Sequence, residues 1–403
     1  MTGGGGPAPE PCDVLVVGAG PQGLALCRFL GLRHPAVVVV DPDGWLTRWQ
    51  DRLDALDVEM LRSHTTHHPD PDLYGLARFA IGRQRPWIGG WSTPTAEVFA
   101  DYCRSLVTDA GLGDVLLRHR VTRIRPRPDR AGIDVTTSGG RRFLAGRVVL
   151  ATNPARPVLP PWATRVDAPP GRILHTDRLD LRGLRLDGER VLVVGGGLTA
   201  CGVAVGAVAR GATVTLVSRR PLQLRVGDVE SNWLSPARLR DFQADADWAR
   251  RSATVRSARG GGTVTPAVAW RVREEAAAGR LVLLEGCEVD AAQWDGGRWT
   301  VTVGGHRRPA DRIWLGTGSR TSIDAEPLLA DVAADFPAEV VDGLPVLDRF
   351  CRWPGTELHL MGGLAALQLG PFARNIAGAR MGADRIASLV DPDRRAQYLQ
   401  PVS

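Results

Sequence analysis

The chain has 403 residues, 44% of them hydrophobic and 23% charged, with a formal net charge of +6. That length exceeds one ordinary core, so two domains are expected, and no apolar run reaches the ~18 residues that a membrane-spanning helix needs. All 50 basic residues are arginines, spread along the chain and not interleaved with aromatics, which argues against a nucleic-acid partner and for a solvated surface with a few anion contacts.

The first eleven residues, MTGGGGPAPEP, lack the apolar segment of a signal peptide and read as a loose tail. The stretch VLVVGAGPQGLALCRFL, residues 14 to 30, then reads as a buried strand, a glycine turn and an apolar helix. In the turn, Gly18, Gly20 and Gly23 fill G-x-G-x-x-G, with Pro21 and Gln22 at the helix start. The first glycine permits the sharp turn, the second lets main chain approach a pyrophosphate, and the third lets helix and strand pack closely. The pyrophosphate would sit on the free N–H groups of the helix N-terminus. A second strand, Val37 to Val40, ends in Asp41, eighteen residues past Gly23, where an acid grips a ribose hydroxyl.

From Trp45 to Leu106 the pattern is helix and loop, with 63–75 too rich in Pro, Asp and Gly to be regular. A helix is expected over Thr95 to Val107, with Ser92, Thr93 and Pro94 as start signals. Residues 115–124, which include Val121, alternate like a strand; a hairpin through Ser138, Gly139 and Gly140 returns to an apolar strand at Val148 to Leu150. The six cysteines form no C-x-x-C pair and no metal-ligand spacing, so reduced thiols of a cytoplasmic protein are expected, with neither a metal site nor a redox dithiol.

The same order then recurs. Residues 191–220 are again strand, glycine turn, helix and strand, and 281–320 add a small β-meander and an apolar strand. The closing turns match as well: Ala151, Thr152 and Asn153 in the first copy, Gly316, Thr317 and Gly318 in the second. In the second glycine turn stand Gly195, Gly197, Thr199 and Ala200, alanine replacing the third glycine. At the position of Asp41 comes Ser218, followed by Arg219 and Arg220. Without the acid a 2′-phosphate meets no repulsion, and a guanidinium can clamp it. The first copy therefore reads as an FAD site and the second as an NADPH site; a solvated arginine pair is the alternative for Arg219 and Arg220. After Arg320 the chain is expected to return to the first unit, with a closing helix from about Ala373. The predicted fold is α/β: two Rossmann-like dinucleotide-binding domains, the NADPH domain (185–320) inserted into the FAD domain (1–160 and 325–403).

Several strings narrow this plan. VLVVGAGPQG resembles the flavin motif of flavin-containing and amine N-hydroxylating monooxygenases, the class B flavin-dependent monooxygenases. MLRSHTTHHPDP (60–71) is similar to their loop beside the isoalloxazine, STPTAEVFADYCRSL (92–106) to their Pro-x-x-x-x-Phe-x-x-Tyr helix start, and VVLATNPARPVLP (148–160) to their return to the nucleotide domain. ILHTDRL (173–179) resembles the segment before their NADPH unit, and LQLGPFARNIAGARMGADRI (367–386) the closing helix of the N-hydroxylating branch. Pro169 and Leu179 stand where aromatics are usual, so the Baeyer–Villiger fingerprint is not met, and His64 aligns with the active-site asparagine.

The resemblance implies that NADPH reduces FAD and that a flavin hydroperoxide passes one oxygen to a soft nucleophile, foremost the nitrogen of a small molecule. A sulfur nucleophile is next; a reductase without oxygen insertion and a non-catalytic flavin protein are the competing classes. The partners implied are a small-molecule substrate and dioxygen, with no membrane and no nucleic acid. Trp45 and Trp49, which also read as core packing, join the candidate cofactor contacts with Val121, Thr152, Gly370, Pro371, Arg374 and Asn375, and Gln368 is a further candidate. His64 is the candidate catalytic group; with His67 and His68 it also reads as solvated or backbone-bonded loop histidine.

Overall fold

The computed structural model describes residues 8–31, 36–83, 93–129 and 131–390. Ser92 and the first seven residues of the expected tail lie outside them. The first unit opens with β1 (Glu10–Val17), α1 (Pro21–Leu30) and β2 (Val37–Val40). Glu10 and Pro11, expected in the tail, instead extend β1, where they pair with Phe143 and Leu144. Helices α2 (Thr47–Ala55), α3 (Gly75–Gly82) and α4 (Ala96–Asp109) follow. The side chain of Thr95 accepts the Val98 N–H and so caps α4.

Next come β3 (Leu116–Leu117), β4 (Val121–Pro126), β5 (Ile133–Thr137), β6 (Arg142–Leu150) and β7 (Ala155–Pro157). The alternating run 115–124 is thus two strands and not one. They lie at opposite ends of a sheet ordered β3-β2-β1-β6-β5-β4, because the chain turns at Arg118 to Arg120, whose charged side chains do not break the alternation. Strand β6 has parallel and antiparallel neighbours in the one sheet. It pairs in parallel with β1 over Phe143 to Leu150 and antiparallel with β5 over Arg142 to Ala145.

Successive strand residues face opposite sides, and both sides are covered. Val14 and Val16 face one core with Leu24, Phe99 and Ala383, while Leu15 and Val17 face another with Leu358 and Leu360. Burial on both faces is why the second half of β1, residues 14–17, reads as an unbroken apolar run.

The second unit contains β8 (Ile173–His175), β9 (Arg190–Val194), α5 (Leu198–Val208), β10 (Thr213–Ser218), α6 (Pro236–Ala244), α7 (Trp248–Ala258), α8 (Pro266–Ala277), β11 (Leu281–Glu285), β12 (Val289–Trp294), β13 (Trp299–Val303), β14 (His306–Ala310), β15 (Arg312–Leu315) and β16 (Ser319–Thr321). Five strands make a parallel sheet ordered β11-β10-β9-β15-β8, and β12-β13-β14 stand apart as the meander. Strand β8 joins this sheet from the 161–184 stretch that the repeat had assigned to neither unit. The two crossing segments meet as the antiparallel pair β7–β16.

The chain then returns through α9 (Ala330–Asp335), β17 (Val340–Val341), β18 (Leu344–Pro345), β19 (Leu358–Leu360), α10 (Ala366–Leu369) and α11 (Ile376–Ala387). Strand β19 pairs with the end of β6. The closing helix begins at Ile376 and not near Ala373: residues 370–375 form a loop, with Gly370 at φ 75° and Asn375 capping the helix in extended conformation. The fold is α/β with two Rossmann-like units, the second inserted into the first. Among the described residues no helix is long and apolar enough to cross a membrane.

Candidate active site

The first glycine turn has the geometry its spacing demands. Gly18 sits at φ 107°, a conformation reserved for glycine. A Cβ on Gly23 would overlap the Gly18 carbonyl oxygen, whereas one on Gly20 would meet nothing within 4 Å. So the helix is pressed onto the strand at Gly23 and the main chain is open at Gly20, on the side an anion would approach. Asp41 braces this turn: its Oδ2 accepts the Ala19 N–H at 2.9 Å and its Oδ1 the N–H groups of Asp43 and Gly44 at 2.8 and 3.0 Å. Pro21 occupies the first helical turn. Gln22, buried, points its amide at the carbonyls of Ala373 and Asn375, both at 3.4 Å, and thereby ties α1 to the closing loop.

The second turn repeats the bend, with Gly195 at φ 138°. Here Ala200 is buried against Gly316, and a Cβ on Gly316 would lie 2.5 Å from that of Ala200. Ser218 is buried and its hydroxyl donates to the Arg220 carbonyl at 2.6 Å. Arg219 is exposed, and its side chain has no hydrogen bond or ion pair among the described residues. Arg220 reaches across to a loop of three glycines, donating to the Gly261 carbonyl at 2.8 Å. Thr199 lies in the first turn of α5.

Between the turns runs the loop 60–71, held from every side. Arg62 donates to the carbonyls of Arg225, Val226, Gly227 and Thr263 at 2.9 to 3.1 Å and pairs with Asp228 at 3.6 Å. From α11, Arg380 donates to the carbonyls of Asp70 and Pro71. From α4, the Tyr102 hydroxyl donates to Asp70 at 3.1 Å. His68 is fully buried and structural: Nδ1 accepts the Asp70 N–H and Nε2 faces the Leu73 carbonyl at 3.1 Å. His64 takes the Thr66 N–H at Nδ1, 3.2 Å, so its neutral ring carries the hydrogen on Nε2. Burial lowers the His64 pKa, and burial with neighbouring charge takes His67 to about 4. Both rings are neutral at pH 7. They stack edge-on at 5.8 Å, and His67 in turn meets the Phe372 ring at 5.8 Å. The three histidines do not converge on one point.

That ring chain leads to the closing loop, where Arg259 of the second unit completes the site. Its Nη1 donates to the Pro371 carbonyl at 3.1 Å and to Asn375 Oδ1 at 3.0 Å, and its Nη2 pairs with Asp228. Burial pushes its pKa down to about 10, helped by the charge of Arg374 and opposed by Asp228. Arg374 itself is exposed.

The remaining candidates have protein partners of their own. Trp49 packs on Phe99 with ring centroids 5.3 Å apart, and Trp45 donates to the Leu112 carbonyl at 3.0 Å. The Val121 side chain is buried in the core, so only its main chain could meet a ligand. Thr152 donates to Glu326 at 2.7 Å, stitching β6 to the returning chain. Gln368, the further candidate, is buried, and its amide donates inward to the Leu347 carbonyl at 2.5 Å. Arg62, Asp228, Arg259 and the glycine loop were not singled out by the sequence. The last has a local signal, GGG at 260–262; the others are ordinary charged residues until the fold joins them.

The model of the pyridine nucleotide-disulphide oxidoreductase family matches residues 12–235. Among solved structures the chain is similar to an ornithine N-hydroxylase of Kutzneria sp. 744, described with reduced FAD, NADP+ and L-ornithine: 20% identity, TM-score 0.75, covering 96% of this chain and 100% of that one. It is similar to the cadaverine monooxygenase of desferrioxamine biosynthesis from Erwinia amylovora, described with FAD, at 14% identity and TM-score 0.76 over 95% of both chains. A bacillithiol disulfide reductase of Staphylococcus aureus also matches, at 13% identity and TM-score 0.64, over 95% of this chain and 99% of that one. At these identities the likeness is one of fold.

Proposed function

The chain belongs to the pyridine nucleotide-disulphide oxidoreductase family, and we propose that it is an FAD- and NADPH-dependent monooxygenase that N-hydroxylates a small amine. FAD would lie along Gly18, Gly20 and Gly23 with its ribose on Asp41, and its ring system between loop 60–71 and the closing loop at Gly370 to Asn375. NADPH would lie along Gly195, Gly197 and Ala200, its 2′-phosphate on Arg219 and Arg220. Bound there, the two cofactors supply hydride transfer and oxygen activation. The chain's own work is to position them, exclude water and hold a proton at His64 Nε2 beside the reacting atoms. The working division is 1–160 with 325–403 for FAD and 185–320 for NADPH, in a cytoplasmic protein with reduced thiols.

The observation that carries oxygen insertion over thiol chemistry is the state of the cysteines. All six are free. Burial raises the Cys103 thiol pKa and takes Cys12, Cys27 and Cys201 to about 12 and Cys351 to about 11. A thiol so shifted is no nucleophile at neutral pH, and none lies in either flavin-side loop. Nitrogen is favoured as acceptor because ornithine and cadaverine enzymes share the fold over nearly the whole chain. The likeness to the bacillithiol disulfide reductase supports the second reading, a reductase.

The test is product stoichiometry. The FAD-loaded protein is given NADPH, dioxygen and a panel of small amines, ornithine, lysine and cadaverine among them. One hydroxylamine formed per NADPH consumed is expected for at least one amine. NADPH oxidation that yields no oxygenated product but reduces a disulfide would establish the reductase instead.

A further inference from the structure

We propose that the loop Gly260–Gly262 is a lid over the second glycine turn, strapped shut by Arg220, and that a dinucleotide must displace it to bind. This rests on the assignment of that turn to NADPH.

The three glycines have φ 65°, 68° and 100° in succession, a path closed to other residues without strain. It brings main chain to the place where a pyrophosphate would come. The Cα of Gly262 lies 3.6 Å from where a Cβ of Gly197 would stand, whereas the same space at Gly20 is empty. The carbonyl of Thr263 takes the Leu198 N–H at 3.0 Å, the first N–H of α5 and one of those an anion needs. Pro21, its counterpart in the first turn, has no N–H to cover.

Arg220 is the strap. Its Nη2 donates to the carbonyls of Gly261 at 2.8 Å and Gly260 at 3.4 Å, while Ser218 fixes its main chain. A Cβ on Gly261 would come within 2.7 Å of that Nη2, so glycine there is what lets the guanidinium lie down. A 2′-phosphate offers Arg220 an anionic acceptor in place of two uncharged carbonyls. NADPH thus releases the strap as it binds, and a nucleotide without that phosphate must open the lid unaided. Preference for NADPH then arises partly from the cost of opening, since apparent affinity falls with the fraction of open sites. The lid ends at Arg259 and Thr263, which hold Asn375 and Arg62, so lifting it moves two tethers of the flavin side.

The experiment titrates FAD-loaded protein with NADP+ and NAD+ by calorimetry, using the oxidised forms so that nothing turns over. Arg220→Ala removes the strap and the phosphate contact together. Gly261→Ala pushes the guanidinium away but leaves it free for phosphate. Both variants should bind NAD+ about threefold to tenfold more tightly than the unmutated chain, the worth of one ordinary hydrogen bond. Only Arg220→Ala should weaken NADP+. Unchanged or weaker NAD+ binding in both variants overturns the lid, even if Arg220→Ala loses NADP+, which would leave a plain phosphate clamp. Failure of all three proteins to bind either nucleotide overturns the NADPH assignment itself. Binding by the variants alone would be the lid in its strongest form.

Discussion

The two glycine turns meet the same steric demand with the methyl group on opposite partners. In the first, the helix carries Gly23 and the facing strand end carries Ala151, whose Cβ would lie 3.7 Å from one on Gly23. In the second, the helix carries Ala200 and the facing position is Gly316. The third glycine of the motif is therefore a condition on a pair of facing residues as well as on one position. A second difference lies on the ligand side: the first turn is braced by a carboxylate and open, whereas the second is covered and the serine in place of the acid bonds the Arg220 carbonyl instead. The acid belongs to the turn as much as to any ribose, since three N–H groups end on Asp41.

The sharpest way to break this comparison is Gly23→Ala. The methyl would strike the Gly18 carbonyl, main chain that has no room to yield. A loss of about 3 kcal/mol is expected, read as a lowered Tm and loss of bound FAD; retention of both would show that the first helix can ride as high as the second. Asp41→Ala should follow, at about 2 kcal/mol or more, because it strands N–H donors beside the cofactor. FAD affinity measured by fluorescence recovery should fall at least about tenfold, whereas Ser218→Ala loses one hydrogen bond.

Gly316→Ala sets a methyl 2.5 Å from the Ala200 Cβ and should destabilise by about 2 kcal/mol. Adding Ala200→Gly should restore part of it in thermal unfolding, and only part, because the main chain of residue 200 stays within 2.8 Å. The smallest effect is Arg219→Ala. One charge-assisted phosphate contact of about 1.5 kcal/mol should be lost for NADPH, about tenfold in Kd, with NADH binding unchanged; equal loss for both would place Arg219 away from the 2′-phosphate.

Both turns were legible in the sequence because their constraints are local: a positive φ at Gly18 and Gly195 and a fixed count to Asp41 and Ser218. The insertion was legible because the pattern repeats. The junction was not. Arg62 reaches carbonyls more than 160 residues away, and nothing in its neighbours separates it from the chain's other arginines. The excursion between β10 and β11 was opaque for a related reason. Trp233, Phe242 and Val255, in its middle part, bury in the core of the first unit with Leu358 and Leu360. Their spacing answers to a distant surface and shows no helical stripe of its own. Gln368 is the opposite case, a polar residue in a loop-like string whose amide is buried against the Leu347 carbonyl.

The course of β6 has a consequence for how the chain is made. Its last three residues take their outer partner from Leu358 to Leu360, and α1 waits for α11 to cover it. During synthesis the first sheet therefore stands with an unpaired apolar edge while some two hundred residues follow it out of the ribosome. The inserted unit draws all five sheet strands from residues 173–315, so it is the first layer able to close. Unpaired strand edges in nascent chains invite aggregation. A released chain truncated at residue 325 should accordingly show a protease-resistant inserted sheet beside a first unit that is still cut, and resistance of both would mean that β19 is dispensable for closing the edge.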